Sequence, residues 1–198
     1  MKIKVILSMF LIILMVFLIY LFNVRNDNYY FSIMDKEYDY KTYNNMLKEN
    51  IKLEEYVDYF ENQYRITDLI RDINDNKIID DRKIQNILIK ASIITLMIGN
   101  NELDAQVNIL DMTELFEYSN SLLDDIDKLF NLIRKYSKEK IFFIGFYTNN
   151  EYYEEIYKYI NFRVRDMCEY YNIIYIDRND YFNKQENVNI YEKIMSNI

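Results

Sequence analysis

The chain reads Ile-Ile-Thr-Leu-Met-Ile-Gly-Asn-Asn-Glu from Ile93 to Glu102, an apolar run followed by a glycine, two amides and a carboxylate. Such a run is typical of a strand buried on both faces, and it ends at Gly99, one of only 2 glycines in the sequence. A glycine here indicates a backbone conformation or a close approach that other residues do not allow. The sequence contains no histidine, so it lacks the commonest general base of hydrolases.

Strand-like and helix-like segments alternate on both sides of this run. Short β-prone segments predict strands at Tyr29–Ile33, Tyr56–Phe60, Ile93–Ile98, Ile141–Phe146 and Ile173–Ile176. Apolar residues at three-to-four spacing predict helices at Lys41–Glu49, Thr67–Ile73, Ile84–Lys90, Thr113–Lys135 and Glu151–Tyr171, and a last helix at Asn187–Asn197. This alternation predicts an α/β domain in which helices cover both faces of a five-stranded parallel sheet.

A separate apolar segment near the amino terminus runs from Val5 to Phe22 and follows two lysines. At about 1.5 Å per residue, it is long enough to cross a bilayer core roughly 30 Å thick. No small-residue cleavage site follows, which favours an uncleaved transmembrane helix over a cleaved signal peptide or a buried core helix. The sequence therefore predicts a single-pass anchor at residues 1–24 and an extracytoplasmic domain at residues 25–198, with the amino terminus in the cytoplasm.

Charge and cysteine content exclude several classes of partner and site. The 24 Lys and Arg residues are outnumbered by 32 Asp and Glu residues, which argues against a nucleic acid or an anionic lipid surface as the partner. The acidic runs Asp72–Asp75, Asp80–Asp81 and Asp124–Asp127 lack the spacing of a calcium loop, so we expect solvated surface there, with no metal site and no cofactor. Cys168 is the only cysteine, and we expect it to pack on a helix, with an interchain disulfide as the minor alternative.

Polar residues follow each predicted strand, where open α/β sheets bind their ligands. The loops at these carboxyl ends are residues 34–36, 61–65, 99–102, 147–150 and 177–180. We expect Asp35 and Lys36 to form an exposed ion pair of small value. Asn101 has two interpretations, since an asparagine here either caps the turn after the strand or contacts a ligand.

The order of these loops resembles the SGNH (GDSL-type) hydrolases, a family of flavodoxin-like esterases and lipases. Ile94–Leu103 is similar to the family's strand ending in Ile-Gly-x-Asn-Asp, and Tyr64–Leu69 is similar to the segment that follows the glycine of its second block. Ile141–Tyr147 resembles its fourth strand, and Ile190–Ile194 resembles its closing helix. The resemblance covers roughly residues 29–198 and implies a three-layer, doubly wound fold.

The resemblance also assigns the family's nucleophile and oxyanion donors. The Gly-Asp-Ser turn corresponds to Met34–Lys36, so Lys36 stands at the position of the serine and Asp35 at that of the aspartate. A lysine beside acidic neighbours stays charged and does not replace a serine nucleophile. Gln63 stands where the family has its oxyanion glycine, whereas Asn101 matches the asparagine that donates a side-chain amide to the oxyanion.

The family's Asp and His, which precede the last helix, correspond to Asn183 and Gln185. Because nucleophile and base act as a unit, their joint loss predicts an inactive hydrolase that binds or scaffolds at the cell envelope. The expected partner is an envelope glycan or protein, and the 21 tyrosines, paired at Tyr29–Tyr30, Tyr152–Tyr153 and Tyr170–Tyr171, either form an aromatic surface for it or pack in the ordinary way. The alternatives are an active acyl-ester hydrolase with a nonstandard site and a spacer without a ligand.

Overall fold

The computed structural model describes residues 13–15, 29–35, 40–61, 63–107, 109–178 and 186–198. The strands are β1 (Tyr29–Met34), β2 (Glu55–Phe60), β3 (Ile78–Ile79), β4 (Arg82–Lys83), β5 (Ala91–Met97), β6 (Lys140–Ile144) and β7 (Ile174–Ile176). The helices are α1 (Tyr40–Asn50), α2 (Ile66–Asn74), α3 (Ile84–Lys90), α4 (Asn100–Val107), α5 (Met112–Tyr136), α6 (Glu154–Tyr170) and α7 (Glu186–Met195), and a short 3-10 helix at Glu151–Tyr153 precedes α6.

Five strands form one sheet in the order β2-β1-β5-β6-β7, and every pair in it is parallel. This order is that of flavodoxin-like folds, in which the chain winds first to one side of β1 and then to the other. The five predicted strands all lie in this sheet, so the α/β class and the parallel sheet are confirmed. The carboxyl ends of the strands consequently meet along one edge.

Alternate residues of the central strands pack on opposite faces of the sheet, as the pleat requires. Phe31, Ile33 and Leu96 belong to the larger core, which α2, α3, α5 and α6 cover. Tyr30 and Met34 belong to the smaller core, which α1 and α7 cover. This double burial explains why β1 and β5 read as nearly continuous apolar runs.

A buried hydrogen-bond network links β1 and β5 to α1 inside the smaller core. The Tyr30 hydroxyl lies 2.8 Å from Thr95 Oγ1 and donates to Asn44 Oδ1. Asn44 Nδ2 donates to Ser32 Oγ at 3.1 Å and to Asp58 Oδ1 at 3.3 Å. Burial raises the pKa of Tyr30 well above its ordinary value, so the phenol stays neutral and its hydroxyl remains available as a donor.

Two elements differ from the sequence-based prediction. Helix α4 follows Gly99 directly, in a segment where no helix was predicted. Strands β3 and β4 form an antiparallel hairpin across Asp80 and Asp81, whose φ angles are 46° and 62°. Two consecutive left-handed residues are the signature of a type I′ turn, and aspartate tolerates that conformation better than most residues do.

Cys168 packs on α6 with 1% of its surface exposed, which confirms the prediction for this residue. Burial also raises the pKa of its thiol. None of the helices in the described part of the chain combines the length and the apolarity needed to cross a membrane. The predicted anchor at residues 5–22 lies outside the described residues, apart from residues 13–15.

Candidate functional site

The loops after the five parallel strands meet at the carboxyl edge of the sheet. Asp35, after β1, is hydrogen-bonded to Asn101, after β5. Glu102 is hydrogen-bonded to Ile66, where the loop after β2 enters α2. The structure therefore brings together three of the loops that the sequence placed at this edge.

The remaining two loops meet beside them. The Arg178 guanidinium, after β7, lies over the Tyr147 ring, after β6, with 5.7 Å between its central carbon and the ring centroid. Arg178 is 8% exposed. Asn161 on α6 holds the start of the loop after β6, since its Oδ1 accepts from Phe146 N at 2.9 Å and its Nδ2 donates to Phe146 O at 2.8 Å. Neither Arg178 nor Asn161 was among the predicted site residues.

Asp35 and Asn101 form a reciprocal pair of hydrogen bonds. The main-chain N–H of Asn101 donates to Asp35 Oδ2 at 3.0 Å, and Asn101 Nδ2 donates to the main-chain oxygen of Asp35. Asp35 is fully buried, so the expectation of an exposed ion pair with Lys36 is wrong. The carboxylate lies at the amino end of α4, where main-chain N–H groups lack partners within the helix.

The side-chain amide that the resemblance assigns to oxyanion binding is thus engaged with the main chain in this structure. Asn101 joins the end of β1 to the start of α4, which is the turn-stabilising role considered from the sequence. Its role as an oxyanion donor stays a prediction. Lys36, Asn183 and Gln185 lie outside the described residues.

Two features of the structure exclude a larger side chain at position 99, namely the backbone conformation and the close neighbours. Its φ angle is +97°, in the region that L residues rarely adopt. A Cβ atom there would also lie 3.0 Å from Ile66 Cδ1 and 3.0 Å from Phe146 Cε1. The glycine is therefore needed for packing between β5, α2 and the loop after β6.

Gln63 occupies the predicted glycine position and has a φ angle of 58°. A non-glycine residue in the left-handed region costs roughly 1–2 kcal/mol. Its side chain is exposed, so it takes no space from the neighbouring loops. The backbone of the loop has thus kept a conformation that suits glycine while the residue itself is a glutamine.

Glu102 is a buried carboxyl group that the predicted site did not include. It is 8% exposed, and its Oε2 accepts a hydrogen bond from Ile66 N at 2.9 Å. Burial raises the pKa of Glu102 to about 7, and the nearby charge of Asp35 acts in the same direction, against the Ile66 hydrogen bond and Arg65. A sequence signal was available, because Glu102 stands at the acidic position that closes the Ile-Gly-x-Asn-Asp motif.

A cluster of hydrogen bonds around Asp72 holds the loop after β2 in place. Asp72 Oδ2 accepts hydrogen bonds from Tyr64 at 2.6 Å, from Tyr59 at 2.8 Å and from Lys77 at 2.9 Å. Burial raises the pKa of Asp72, but these hydrogen bonds outweigh it and hold the pKa below its ordinary value. Asp72 is 6% exposed, so the expectation that the Asp72–Asp75 run is entirely solvated is wrong.

A cleft of about 520 Å³ opens beside these loops. It is lined by Tyr147, Thr148, Asn149, Asn150, Glu151, Glu154, Tyr157 and Lys158. Tyr157 connects the cleft to α4, since its hydroxyl donates to Asp104 Oδ1 at 2.6 Å. Within the described residues, no group of three or more His, Cys, Asp or Glu side chains is placed to hold a metal ion.

The tyrosine pairs divide between core and surface. Tyr29 and Tyr30 are buried, so they offer no aromatic surface to a partner. Tyr152 and Tyr170 are 66% and 82% exposed, and each packs edge-on against the tyrosine that follows it. Tyr152 belongs to the 3-10 helix that contributes Glu151 to the cleft.

Solved structures share this fold. A lipase from the goat rumen metagenome is 14% identical, with a TM-score of 0.62 over 85% of this chain and 96% of that chain. The acetylxylan esterase Axe2 from Geobacillus stearothermophilus is 13% identical, with a TM-score of 0.64 over 87% of this chain and 94% of that chain. The chain has the SGNH-hydrolase fold.

TesA, another SGNH-fold structure, is more distant, with 7% identity and a TM-score of 0.53 over 75% of this chain and 77% of that chain. No protein-family model matches the sequence, and the comparison with curated proteins gives no significant match. The SGNH fold is therefore shown by three-dimensional similarity, which agrees with the resemblance of the motifs.

Proposed function

We propose that this SGNH-fold protein binds a ligand at the cell envelope without hydrolysing it. One observation carries the proposal. Each described residue that matches the family's motifs has a structural role, which is to hold two segments together at the edge of the sheet. Asp35 and Asn101 join β1 to α4, Gly99 allows close packing, and Glu102 joins α4 to α2. These residues are needed to hold the edge loops together, whether or not the site is catalytic.

The positions that differ from the family are those that serve only the reaction. Lys36 and Gln185 stand where the resemblance places the nucleophile and the general base, and the chain contains no histidine elsewhere. Removing either member of such a pair is close to removing the whole catalytic effect. The pattern of kept and replaced residues therefore supports a scaffold without the hydrolytic reaction.

The hydrogen bonding of Asn101 also opposes ester hydrolysis. Acyl transfer passes through a tetrahedral oxyanion, which needs hydrogen-bond donors or positive charge directed at it. In this structure the side-chain amide of Asn101 donates instead to the main-chain oxygen of Asp35. An oxyanion would have to displace this hydrogen bond before Asn101 could stabilise it.

A test uses the full-length protein in detergent, with p-nitrophenyl acetate and an O-acetylated xylo-oligosaccharide as substrates. We expect no hydrolysis above the buffer rate from the wild type or from Asn101→Ala. The matched control is Asn131→Ala, which removes an exposed amide on α5. Turnover by the wild type and by Asn131→Ala, but not by Asn101→Ala, would overturn the proposal.

The cleft beside the edge suits a glycan. Tyrosine rings give flat apolar surface, while the Thr148 hydroxyl, the amides of Asn149 and Asn150 and the charges of Glu151 and Lys158 give hydrogen-bond partners for sugar hydroxyls. One of the similar structures is an acetylxylan esterase. We therefore assign the ligand to the class of envelope glycans, bound by a domain that the segment at residues 5–22 holds outside the cytoplasmic membrane.

Glycan binding is measured by thermal unfolding, because a ligand that binds only the native state raises the midpoint. We expect oligosaccharides to raise the midpoint of the wild type and of Asn131→Ala. In Tyr147→Ala, which removes one ring from the cleft, the shift is smaller at the same oligosaccharide concentration. An equal shift in all three proteins would place the binding elsewhere.

One observation favours an alternative, an ester hydrolase with a nonstandard base. Glu102 has a pKa of about 7, and a carboxyl group with a pKa near neutrality is suited to accept a proton. In that case the wild type hydrolyses acyl esters with a rate that rises through about pH 7, and Glu102→Gln removes the activity.

A further inference from the structure

The charged residues of the domain are unevenly distributed, although the chain is acidic overall. No lysine or arginine occurs from Ala91 to Asp127, a range that contains the loop after β5 and most of α5. Basic residues then follow closely at the end of α5 and the start of β6, namely Lys128, Arg134, Lys135, Lys138 and Lys140. The overall excess of acidic residues therefore does not exclude an anionic partner at this one place.

This group of basic residues lies at the amino edge of the sheet, opposite the candidate site. Arg134 Nε donates to Tyr171 O at 2.8 Å, and Arg134 Nη1 donates to Glu139 O at 2.8 Å. Tyr171 and Glu139 lie just before β7 and β6, where the chain enters the sheet. A cleft of about 680 Å³ opens here, and its lining includes Lys128, Arg134, Lys135, Lys138 and Tyr171.

The described residues neutralise only part of the positive charge in this cleft. Arg134 is half-buried, and the oxygens that accept its hydrogen bonds belong to the main chain. Lys128 pairs with Asp125 at 2.8 Å, but no carboxylate in the described part of the chain forms an ion pair with Arg134, Lys135 or Lys138. Lys135 and Lys138 are exposed, so their charges are accessible to an anion outside the domain.

A second group of basic residues lies where the chain enters β1. Arg82 Cζ and Lys90 Nζ are 5.3 Å and 5.8 Å from the ring centroid of Tyr29, the first residue of β1, and Lys83 lines the same small cleft. Arg82 also pairs with Glu55. Helix α3, which ends at Lys90, packs against α5, so both groups lie on one side of the sheet. We call the two groups together the basic face, which consists of Arg82, Lys83, Lys90, Lys128, Arg134, Lys135 and Lys138.

The position of Tyr29 connects the basic face to the apolar segment at residues 5–22. Only residues 23–28 separate that segment from Tyr29. An extended chain spans at most about 3.6 Å per residue, so Tyr29 lies within about 25 Å of the end of the segment. If the segment is an anchor, the basic face is therefore within reach of the bilayer surface.

We propose that the basic face binds the anionic headgroups of the membrane that holds the anchor, so that the candidate site faces away from the bilayer. The inference rests on the proposed location of the domain and does not require glycan binding. Exposed apolar side chains at the same edge suit the interfacial region, since Ile89 and Tyr170 are 53% and 82% exposed and tyrosine is enriched at membrane surfaces. Lysine and arginine supply the attraction to anionic lipid.

The experiment uses the full-length protein in lipid nanodiscs of phosphatidylcholine alone or mixed with phosphatidylglycerol. A fluorophore is attached at Asn86→Cys, in the cleft beside Tyr29, or at Asn149→Cys, in the cleft near the candidate site. Cys168 is 1% exposed, so labelling is confined to the new cysteine. With a quencher on the lipid headgroups, we expect stronger quenching at position 86 than at position 149, and a ratio of docked to free domain that is at least about fivefold higher with phosphatidylglycerol.

The lysines are tested by paired variants with equal changes of charge. Lys135→Gln/Lys138→Gln lowers the docking ratio at least about tenfold in the anionic nanodiscs, because each lysine near an anionic surface contributes about fivefold. The control Lys158→Gln/Arg163→Gln, at exposed positions of α6, keeps the ratio within about twofold of the wild type. Lys83→Gln/Lys90→Gln, in the other half of the basic face, gives a second measurement if the first variant does not fold.

The remaining outcomes overturn the inference in different ways. Equal quenching at positions 86 and 149, or stronger quenching at position 149, contradicts the orientation. An unchanged docking ratio in both lysine variants contradicts headgroup binding. Binding of soluble polyphosphate without docking to either bilayer assigns the basic face to another polyanion.

The result is independent of the glycan test. A protein that does not stay in the nanodiscs lacks the anchor, which overturns both the location and this inference. Docking without an oligosaccharide-dependent rise of the thermal midpoint contradicts glycan binding alone. A rise of the midpoint without docking contradicts only the inference about lipid.

Discussion

Glu102 is the side chain whose charge state most directly affects the edge of the sheet. Its carboxyl group joins two elements through Ile66 N, and burial holds its pKa at about 7, compared with an ordinary value of 4.5. Between these two pH values the folded chain binds more protons than the unfolded chain. The free energy of unfolding therefore falls as pH rises from about 4.5 to about 7 and is level above that range as far as Glu102 is concerned.

The variant Glu102→Gln tests this dependence. Its Oε1 can still accept the hydrogen bond from Ile66, but it carries no charge at any pH. We expect the slope between about pH 4.5 and pH 7 to become shallower, and the variant to be more stable than the wild type by roughly 1–3 kcal/mol above pH 7. Urea unfolding at a series of pH values measures both effects.

The control is Glu117→Gln, at an exposed position of α5. It leaves the slope as it is in the wild type. An unchanged slope in Glu102→Gln would show that Glu102 is not the group responsible.

At the residue level, the sequence showed which residues are unusual better than it showed whether they are buried or exposed. Gly99 stood out because glycine is rare in this chain, and the structure gives it a φ of +97° and close neighbours. Asp35 was misjudged as exposed, because the burial of a carboxylate depends on the main-chain N–H groups that a following helix presents. The buried amide of Asn100 has no hydrogen-bond partner among the described residues, and nothing in the sequence signalled this, because pairing of a buried group depends on the folded chain.

At the level of elements, the loop after β2 depends on a cluster beneath it. Asp72, at the end of α2, accepts hydrogen bonds from Tyr59 on β2, Tyr64 in the loop and Lys77 before β3. Because one carboxylate joins three segments, its loss affects all of them. Gln63 lies in this loop. The position of Gln63 is therefore set by the Asp72 cluster, whose side chains do not touch the candidate site.

We expect Asp72→Asn to lower the free energy of unfolding by about 1–3 kcal/mol, because the replaced oxygen leaves hydrogen-bond donors without a charged acceptor. The pKa of Asp72 lies below its ordinary value, so the wild-type advantage is complete above that value and is lost as pH falls through the lower, folded-state pKa. Urea unfolding near neutral pH and at acid pH measures the difference. Asp75→Asn, at an exposed position, changes stability by less than about 0.5 kcal/mol.

The elements that the sequence predicted are those with long apolar patterns. Strands β1 and β5 are buried on both faces, and α5 carries its buried residues at regular spacing over 25 residues. Helix α4 was missed because it begins with Asn100, Asn101 and Glu102, a polar start with little periodicity. The β3–β4 hairpin was missed because strands of 2 residues are too short to show alternation.

At the level of the whole molecule, the location of the domain depends on residues 5–22. If this segment is an uncleaved anchor, the full-length protein remains in the membrane fraction after an alkaline wash. A protein that begins at residue 25 is released into the soluble fraction. Mass spectrometry of the native protein distinguishes the alternatives, since a cleaved signal peptide gives a soluble chain that lacks the amino-terminal segment.

Sidedness is tested separately with protease added to intact cells. We expect the domain to be digested from the outside, because the lysines before the anchor favour a cytoplasmic amino terminus. Protection of the domain in intact cells, with digestion only after lysis, would contradict the proposed location.

The network of Tyr30, Thr95, Ser32 and Asn44 has a consequence for folding fidelity. A strand that slips by one residue sends every side chain to the opposite face of the sheet. If β1 slipped against β5, the Tyr30 and Ser32 hydroxyls would turn into the larger core, away from Thr95 and Asn44, and would be buried without partners. The polar centre of the smaller core therefore selects one alignment of the two central strands and penalises mispaired intermediates.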